Sequence, residues 1–584
     1  MKLLKDLVVS RMEFQQWDDV LTWGEDGSLY FGSMAEITIG QPLYSKDIKK
    51  SSKELFHLKA IDLPIIENKL EFEDSSDNIL LNSQPQSYIR ICKPCPSNGQ
   101  VIAALTNNGN IIIYCNQEPI LNLDQNERSL QERLYHSFTW NSEGTCLAVG
   151  NEANEVVIFS IDTIAKSYTS KTIKLENTEG WITKISWNDY SLVASSSNNT
   201  VYHIDNINQE NVQPAIILPP SRFKIIDFLA MEKYILISSC GNLYKLEMGT
   251  SRCICTPTDF TQEFHLVPLF RNNEVILLSA KSSHLIRLSD NELSFYPDEI
   301  IFPHLEKKYT RWNEYENQSN KYETVLSLYG ITLSPDEYSI AIAYTVERVS
   351  FRYKIVSENK FNVMFIPLYK DWKLSTKASG LEWYQTYNIY EKLLPIIDDD
   401  NTVGINSDLD TSLEFRDYLK NLMKDKSVTK RCFLNIIQSD SISLDLFRAL
   451  VFNYAEAHKS KLTHPIDQLC IESLSEILGV DSLFEEKNNK TIDIKGEFIE
   501  QTFNIFGNTD FQIIESTEGN KWRRCSLTLL PLLSTNTKVC PVSNQRIINI
   551  KKDLLNEYGW FTKTLLEFFN DKSPYTSGKL DTST

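Results

Sequence analysis

The chain has 584 residues, and its 77 Asp and Glu outnumber its 59 Lys and Arg, so the formal net charge at pH 7 is −18. An apolar fraction of 42% excludes a mainly disordered chain, and 20 Gly with 20 Pro are too few for a collagen-like or low-complexity one. The acidic balance excludes general binding of phosphate backbones, which needs clustered Lys and Arg, although it leaves room for a local basic patch. At about 150 residues per domain, the length predicts roughly four domains, or fewer if one is a large all-β unit.

The start of the chain does not look like an export signal. Residues 1–6 carry charge where a secretory signal needs an apolar core, and no run of about 18 apolar residues follows, so we expect no membrane span. The eleven cysteines are odd in number and scattered. This usage is typical of a reducing compartment, the cytosol or the nucleus, where most thiols stay free.

From about residue 20 to residue 370, short apolar runs alternate with Gly, Asn, Asp and Ser. Five pairs of runs each predict two strands joined by a tight turn, because Gly and Asn adopt positive φ at little cost. These five pairs span residues 101–114, 146–159, 191–204, 234–246 and 275–288.

The pairs form a repeat. The turns that precede them recur in steps of roughly 41–45 residues, which is the period of a WD-type propeller blade. They lie at Gly99, Gly144, Asp189, Glu232 and Asn273. Similar units begin near residues 21 and 330, which makes seven. We therefore predict a mainly β, seven-bladed WD-like β-propeller over residues 1–375, a closed ring that leaves no long exposed sheet edge.

One blade and one insertion stand out in this region. Residues 136–150 are similar to the core of a WD-repeat blade, but the Trp-Asp dipeptide that names the repeat is missing from the blade ends.

The insertion between the first two units contains the acidic stretch 71–77, which is either a solvated loop or a loop that docks a partner.

After about residue 375 the apolar period changes from that of strands to that of helices. Helical spacing appears at 383–394, 413–423, 444–458 and 466–478, a β-like tail at about 525–550, and a closing helix at about 551–569. We predict a C-terminal α/β domain over residues 376–584.

Motifs for catalysis are absent from the sequence. It has no phosphate-binding Gly-rich loop, no Gly-x-Ser-x-Gly elbow and no His-Glu-x-x-His. Cys92 and Cys95 have the spacing of half a zinc site, but their near partners Cys115 and His136 have the wrong spacing, so ordinary strand sequence is the favoured interpretation. We predict no catalytic and no cofactor-binding residues.

The last hundred residues carry the most specific pattern. A string rich in Arg and Leu at 517–533 leads to a Cys-Pro pair and resembles the C-terminal zinc ribbon of the transcription factor IIIC propeller subunits. That family reads Gly-His-x-Trp-x-Arg-Cys-x-Leu-Thr and then Cys-x-x-Cys. The matching residues here are Gly519, Trp522, Arg524, Cys525, Leu527, Thr528, Cys540 and Pro541.

The ribbon in this sequence is degenerate. Asn520 stands at the family's His and Ser543 at its last Cys, while an upstream Cys pair corresponds to Phe503 and Phe506. Only Cys525 and Cys540 remain, and two thiolates cannot close a tetrahedral zinc site. We therefore expect a metal-free ribbon-like tail at about 500–550, in which the phenylalanines replace the metal knuckle by packing.

Similarity to the sixty-kilodalton subunit family of yeast transcription factor IIIC extends over almost the whole chain. The strings that carry it are residues 81–85, 331–342, 381–387 and 556–562. The resemblance implies a nuclear, non-catalytic scaffold of the RNA polymerase III machinery, in the lobe that binds the B-box of transfer-RNA genes. Its implied partners are a larger propeller subunit, other subunits of the complex and the TATA-binding protein, with DNA reached only through the complex.

Other functions stay open at this point. One is a propeller scaffold of another nuclear or cytoplasmic assembly, and a less favoured one is a histone acetyltransferase, for which the sequence offers no Gly-rich acetyl-coenzyme A loop. Trp383, Tyr384 and Tyr387 are candidate interface hot spots, although core packing is the favoured role for each.

Overall fold

The computed structural model of the chain divides into two units by its internal contacts, Met1–Leu43 with Lys53–Lys370, and Tyr44–Ser52 with Asp371–Thr584. It describes residues 7–10, 20–24, 27–32, 36–43, 55–62, 88–124, 128–175, 180–188, 190–209, 212–231, 234–247, 252–258, 264–269, 274–288, 293–316, 323–348, 360–374, 380–390, 393–394, 409–424, 428, 430, 433–434, 437, 445–484, 490–496, 498–540, 542–550, 557–570, 572–576 and 580–582. The acidic stretch 71–77 lies outside these residues. So do residues 375–379, and the predicted domain boundary at residue 375 therefore stays a prediction.

Within the described residues, the strands of the first unit form seven four-stranded antiparallel sheets, which are the seven blades of a β-propeller. In chain order the strands are β1 (Leu7–Ser10), β2 (Leu21–Trp23), β3 (Leu29–Gly32), β4 (Glu36–Pro42), β5 (Phe56–Asp62), β6 (Ile89–Cys95), β7 (Asn98–Thr106), β8 (Ile111–Cys115), β9 (Glu118–Asn122), β10 (Tyr135–Trp140), β11 (Cys146–Asn151), β12 (Glu155–Asp162), β13 (Ser167–Lys174), β14 (Ile182–Asn188), β15 (Ser191–Ser196), β16 (Val201–Ile204), β17 (Ala215–Leu218), β18 (Ile225–Ala230), β19 (Tyr234–Ser239), β20 (Asn242–Glu247), β21 (Arg252–Pro257), β22 (His265–Leu269), β23 (Glu274–Leu278), β24 (Ser283–Leu288), β25 (Leu293–Pro297), β26 (Thr324–Leu333), β27 (Ser339–Arg348) and β28 (Lys360–Pro367). The predicted seven-bladed fold is confirmed.

The ring closes through strands from both ends of the unit. The first six blades take four consecutive strands each, from β2 to β25, whereas the seventh has the order β1-β28-β27-β26. In it β1 pairs antiparallel with β28, and Leu7 lies opposite Val363. The first strands of neighbouring blades contact one another around the ring, including β2 with β26. Closure covers the edges that separate hairpins would expose.

The five predicted hairpins are the second and third strands of blades two to six, from β7 with β8 to β23 with β24. Four of their turns contain a residue with positive φ, as the Gly and Asn content predicts. These residues are Gly109 (φ 72°), Asn154 (58°), Asn199 (64°) and Gly241 (81°).

Blades two to six each begin one strand earlier than the predicted repeat unit, whereas the units predicted near residues 21 and 330 begin in the first strands, β2 and β26, of blades one and seven. The turn at Gly144, for example, joins the first strand of blade three, β10, to the second strand, β11. First strands are harder to recognise because they are buried only in part. In β14 (Ile182–Asn188), Ile182 and Ile185 are buried and the other five residues are half-buried, so no continuous apolar run marks the strand.

The apolar core of the propeller lies between successive blades rather than at the centre of the ring. One cluster joins Val101 and Leu105 of blade two to Phe138, Leu147 and Phe159 of blade three. Burying each such side chain contributes about 1.5–3 kcal/mol, so the contacts between blades hold the ring together.

Among the described residues of the propeller, two helices lie between blades: α1 (Leu130–Arg133) precedes blade three and α2 (Phe302–Glu316) precedes blade seven. The sequence interpretation missed α2. The Asp298 carboxylate accepts backbone N–H groups of Ile300, Ile301 and Phe302 at its start, and Leu305 packs into the core with Leu326.

The second unit combines helices with short strands. Its helices are α3 (Gly380–Ile389), α4 (Phe415–Lys424), α5 (Asp445–Ala457), α6 (Pro465–Leu478) and α7 (Trp560–Phe568). Its strands are β29 (Thr491–Lys495), β30 (Glu500–Asn504), β31 (Ile513–Glu515), β32 (Lys521–Arg523), β33 (Thr537–Val539), β34 (Arg546–Ile548) and β35 (Asp581–Thr582).

The predicted helices at 383–394, 413–423, 444–458 and 466–478 correspond to α3, α4, α5 and α6. The closing helix begins later than predicted, because Gly559 has extended backbone (φ −72°, ψ 171°) and the helix starts at Trp560. In the described part of the chain, no helix is both long and apolar enough to cross a membrane.

Candidate functional site: the C-terminal module

The motif residues of the tail begin on a hairpin. Strands β31 and β32 pair with Ile514 opposite Trp522, and the turn between them contains Gly519 at φ 82°, whose N–H donates to the Ser516 carbonyl at 2.9 Å. A residue with a Cβ is strained at this φ, which explains the Gly of the motif. Trp522 is half-buried, and its indole N–H has no acceptor among the described residues.

Arg524 is the centre of the module. Its side chain is 4% exposed, and its guanidinium donates to Ser473 Oγ of α6 at 3.0 Å and to the Leu529 carbonyl at 2.8 Å. It also donates to the carbonyls of Asn508 at 3.1 Å and Ile513 at 3.3 Å. Burial lowers the pKa of Arg524 to about 10, so the group stays charged at neutral pH. One cation thus connects α6, the 508–513 segment and the turn at Leu529.

Cys525, Leu527 and Thr528 continue the chain from this centre into the core, and all three are buried. The Cys525 N–H donates to the Leu530 carbonyl at 2.7 Å, and the Cys525 carbonyl accepts from the Leu529 N–H at 2.8 Å. These residues therefore form a tight buried turn. Burial also raises the pKa of the nearby Cys470 thiol.

Cys540 lies on a second turn. Its N–H donates to the Gln545 carbonyl at 2.8 Å, and its Sγ lies 3.5 Å from Thr576 Oγ1. The Ser543 hydroxyl lies 3.2 Å from Gln545 Oε1. Pro541 lies outside the described residues. Backbone hydrogen bonds from Cys540 to Gln545 and from Asn544 to Cys540 close this turn.

The donor set does not fit zinc. Within the described ranges, no three His, Cys, Asp or Glu side chains cluster where they could hold a metal ion. Asn520 donates to Gln501 Oε1 at 3.0 Å, and Phe503 is fully buried on β30 opposite Ile492. A closed zinc site needs four such ligands. Packing of Phe503 and the hydrogen bonds of Arg524 stabilise the module.

The purified full chain is expected to carry well below one equivalent of zinc by elemental mass spectrometry, and EDTA is expected to leave its melting temperature unchanged. Cys525→Ser is expected to lower stability, because it buries a hydroxyl, without changing the metal content. One equivalent of zinc that survives dialysis would overturn this prediction.

The two other sequence candidates belong to the core. Cys92 packs in the cluster between blades one and two and Cys95 in the one between blades two and three, so their thiols do not share a site. Trp383 and Tyr384 are buried, and the Trp383 ring lies 5.6 Å from that of Phe433. The favoured core role therefore describes both aromatic residues better than an interface role.

Sequence reasoning missed Asp467 on α6. This fully buried carboxylate accepts the N–H groups of Phe561 at 3.0 Å and Thr562 at 2.9 Å, and the Thr562 hydroxyl at 2.7 Å. It therefore caps the first turn of α7. The only local signal is the Gly559 before Trp560, because the two partners lie more than 90 residues apart in sequence.

Known proteins are similar to parts of this chain. A family model described as "Putative zinc-finger of transcription factor IIIC complex" matches residues 486–580, which include the whole motif. The C-terminal WD40 domain of Sif2 aligns with a TM-score of 0.39 at 14% identity, over 61% of this chain and 98% of that one. A chain of the mitotic checkpoint complex aligns with a TM-score of 0.40 at 11% identity, over 62% and 94%. The fold assignment itself rests on the seven sheets of this chain.

The propeller and the matched module define a propeller protein with a transcription factor IIIC zinc-finger-type tail. The chain is 42% identical over 595 aligned residues, and over 100% of both proteins, to the transcription factor tau 60 kDa subunit of Saccharomyces cerevisiae strain S288c. It belongs to this family of transcription factor IIIC subunits, which confirms the resemblance seen in the sequence.

Proposed function

We propose that the chain is a non-catalytic scaffold subunit of transcription factor IIIC that acts in the nucleus, in the lobe that binds the B-box of transfer-RNA genes. It pairs there with a larger propeller subunit and connects the complex to the initiation factor that contains the TATA-binding protein. The observation that carries the proposal is the full-length relationship to the tau 60 kDa subunit.

The physical properties of the chain support a scaffold role. A closed ring of seven sheets offers rigid surfaces, and rigid surfaces lose little conformational freedom when a partner binds. The net charge of −18 opposes contact with the DNA backbone and favours basic protein surfaces. The acetyltransferase alternative has no structural observation in its favour.

Binding of transfer-RNA-gene DNA is expected to depend on the partner. The isolated chain should bind a duplex with a B-box no better than one with a scrambled B-box, because its charge disfavours counterion release from DNA. Addition of the larger propeller subunit should produce tight binding that discriminates between the two duplexes in fluorescence anisotropy. Strong, sequence-specific binding by the chain alone would contradict the charge argument.

Affinity purification from nuclear extract tests the assignment independently. The tagged chain is expected to recover the other subunits of transcription factor IIIC and the TATA-binding protein, and its tagged Arg524→Met variant should recover less of each if the C-terminal module is needed. Recovery of the subunits of an assembly other than transcription factor IIIC would contradict the proposal.

A further inference from the structure

Two exposed aromatic side chains flank one turn of blade four. Trp181 is 45% exposed and Phe223 is 51% exposed. The turn at 197–199 joins β15 to β16. On one side of it the Ser197 N–H donates to the Trp181 carbonyl at 2.8 Å. On the other side the Ser221 N–H donates to the Asn198 carbonyl at 3.2 Å, which brings the segment that carries Phe223 to the same turn.

Hydrogen bonds order the backbone of the loop that carries Phe223. Asn199 donates from its side chain to the Ser221 carbonyl at 2.8 Å and accepts the Ile225 N–H at 3.2 Å, so the loop before β18 is fastened at both ends. The Phe223 N–H donates to Ser221 Oγ at 3.1 Å within that loop. Such pre-ordered aromatic groups contribute much binding energy, because little freedom is lost when a partner docks.

The ring of Trp181 is supported from blade three. Its centroid lies 5.9 Å from that of His136. Burial, with a smaller contribution from the Arg90 guanidinium, lowers the pKa of His136 to about 4. The His136 ring beside Trp181 is therefore neutral near pH 7.

The chain immediately around Phe223 is basic. Phe223 lies between Arg222 and Lys224, and all three side chains are exposed. Arg222 makes no ion pair within the described part of the chain. The described residues at 180–184, 196–200 and 219–225 contain no Asp or Glu. Residues 219–225 are therefore a short basic stretch in a chain of net charge −18, whereas Trp181 follows Glu176 and Glu179, which lie outside the described residues.

We propose that Trp181, Arg222, Phe223 and Lys224, the aromatic–basic patch, dock an acidic segment of a partner protein that carries apolar side chains among its carboxylates. The exposed rings take up the apolar side chains, and Arg222 and Lys224 pair with the carboxylates. The inference goes beyond the proposed function, because it rests on the geometry of blades three to five and not on the family.

Duplex DNA is the less suitable occupant. Strongly salt-dependent DNA binding uses about 6–10 phosphate contacts, and the patch offers only a few cations on an acidic protein. The half-exposed rings of Trp181 and Phe223 instead provide apolar area, which a phosphate backbone does not use.

The test uses the purified full chain and fluorescein-labelled probes in anisotropy titrations. The first probe is a short peptide of alternating Asp, Glu, Phe and Leu, called the acidic apolar peptide. One control peptide has Lys in place of each acidic residue, and the other has Ser in place of Phe and Leu. The fourth probe is a duplex DNA. We expect the acidic apolar peptide to bind at least about tenfold more tightly than either peptide control and than the DNA.

Substitutions in the aromatic–basic patch test whether the acidic apolar peptide binds there. Trp181→Ser with Phe223→Ser, and separately Arg222→Glu with Lys224→Glu, should each weaken the acidic apolar peptide about tenfold or more. The matched controls should have no effect: Tyr190→Ser, which removes a 66% exposed ring at the opposite end of β15, and Lys281→Glu with Lys307→Glu, which makes the same charge change elsewhere.

Three outcomes would overturn the inference: equal binding of all peptides, equal losses from the control variants, or tighter binding of the DNA, which would make the patch a nucleic-acid contact. The measurement uses the chain alone, so it can fail while the scaffold assignment holds, and the reverse is also true.

Discussion

Replacing Arg524 with Met is expected to lower the free energy of unfolding of the C-terminal unit by about 3–5 kcal/mol. The guanidinium donates to one hydroxyl and three carbonyls, and each buried group that loses its partner costs about 1–3 kcal/mol. Hydrogen exchange measured by mass spectrometry should show loss of protection at residues 508–530 while the propeller strands stay protected.

Its neighbour on the chain provides the control for this prediction. Arg523 is exposed, so Arg523→Met should change stability by no more than about 0.5 kcal/mol. Arg524→Lys keeps the positive charge but loses the planar guanidinium group that donates several hydrogen bonds at once. Its stability should therefore lie between those of the wild type and Arg524→Met. Equal effects at positions 523 and 524 would show that the guanidinium does not organise the module.

Replacing Asp467 with Asn is expected to destabilise the same unit by about 3 kcal/mol through α7. The carboxylate accepts two backbone N–H groups and a hydroxyl at the positive end of the helix, and an amide nitrogen at either oxygen position would face donors. Guanidinium denaturation and the exchange rates of residues 560–568 measure the effect. Asp481→Asn, on an exposed side chain, is the matched control and should be nearly silent.

The close contact at Gly559 adds a test by double-mutant cycle. A Cβ at this position would overlap the Asp467 carboxylate, so Gly559→Ala should cost several kcal/mol in the wild-type chain. In an Asp467→Ala background the space is free, and the same change should cost much less. Additive effects would show that the two residues do not act on each other.

The hairpins of the propeller could be predicted because their signals are local. Four of the five tight turns have Gly or Asn between two apolar runs, and Asn154 and Gly241, for example, have the positive φ that this composition predicts. The first strands and helix α2 could not be predicted in the same way. β14 is mostly half-buried, and α2 depends on packing of Leu305 against the distant Leu326.

At the candidate site, the motif identified Gly519, Arg524 and Cys525 as a group but not what each one does. The turn at Gly519 follows from local geometry, whereas the acceptors of Arg524 come from Ser473 on α6 and from the 508–513 segment. Asp467 belongs to no sequence motif, because its carboxylate meets the N–H groups that it accepts only when α7 folds against α6. Long-range hydrogen bonds of this kind leave no periodic trace in a sequence.

The pairing of β1 with β28 also has a consequence for biosynthesis. Leu7 emerges from the ribosome early, but its partner Val363 lies over 350 positions later, so at about 5–20 residues per second β1 waits tens of seconds for its blade. During that time six blades can form while the strand that completes the seventh has nothing to pair with. Fusions that bury or block residues 7–10 should therefore trap the nascent chain as an open ring with exposed sheet edges, the form most prone to join with another chain.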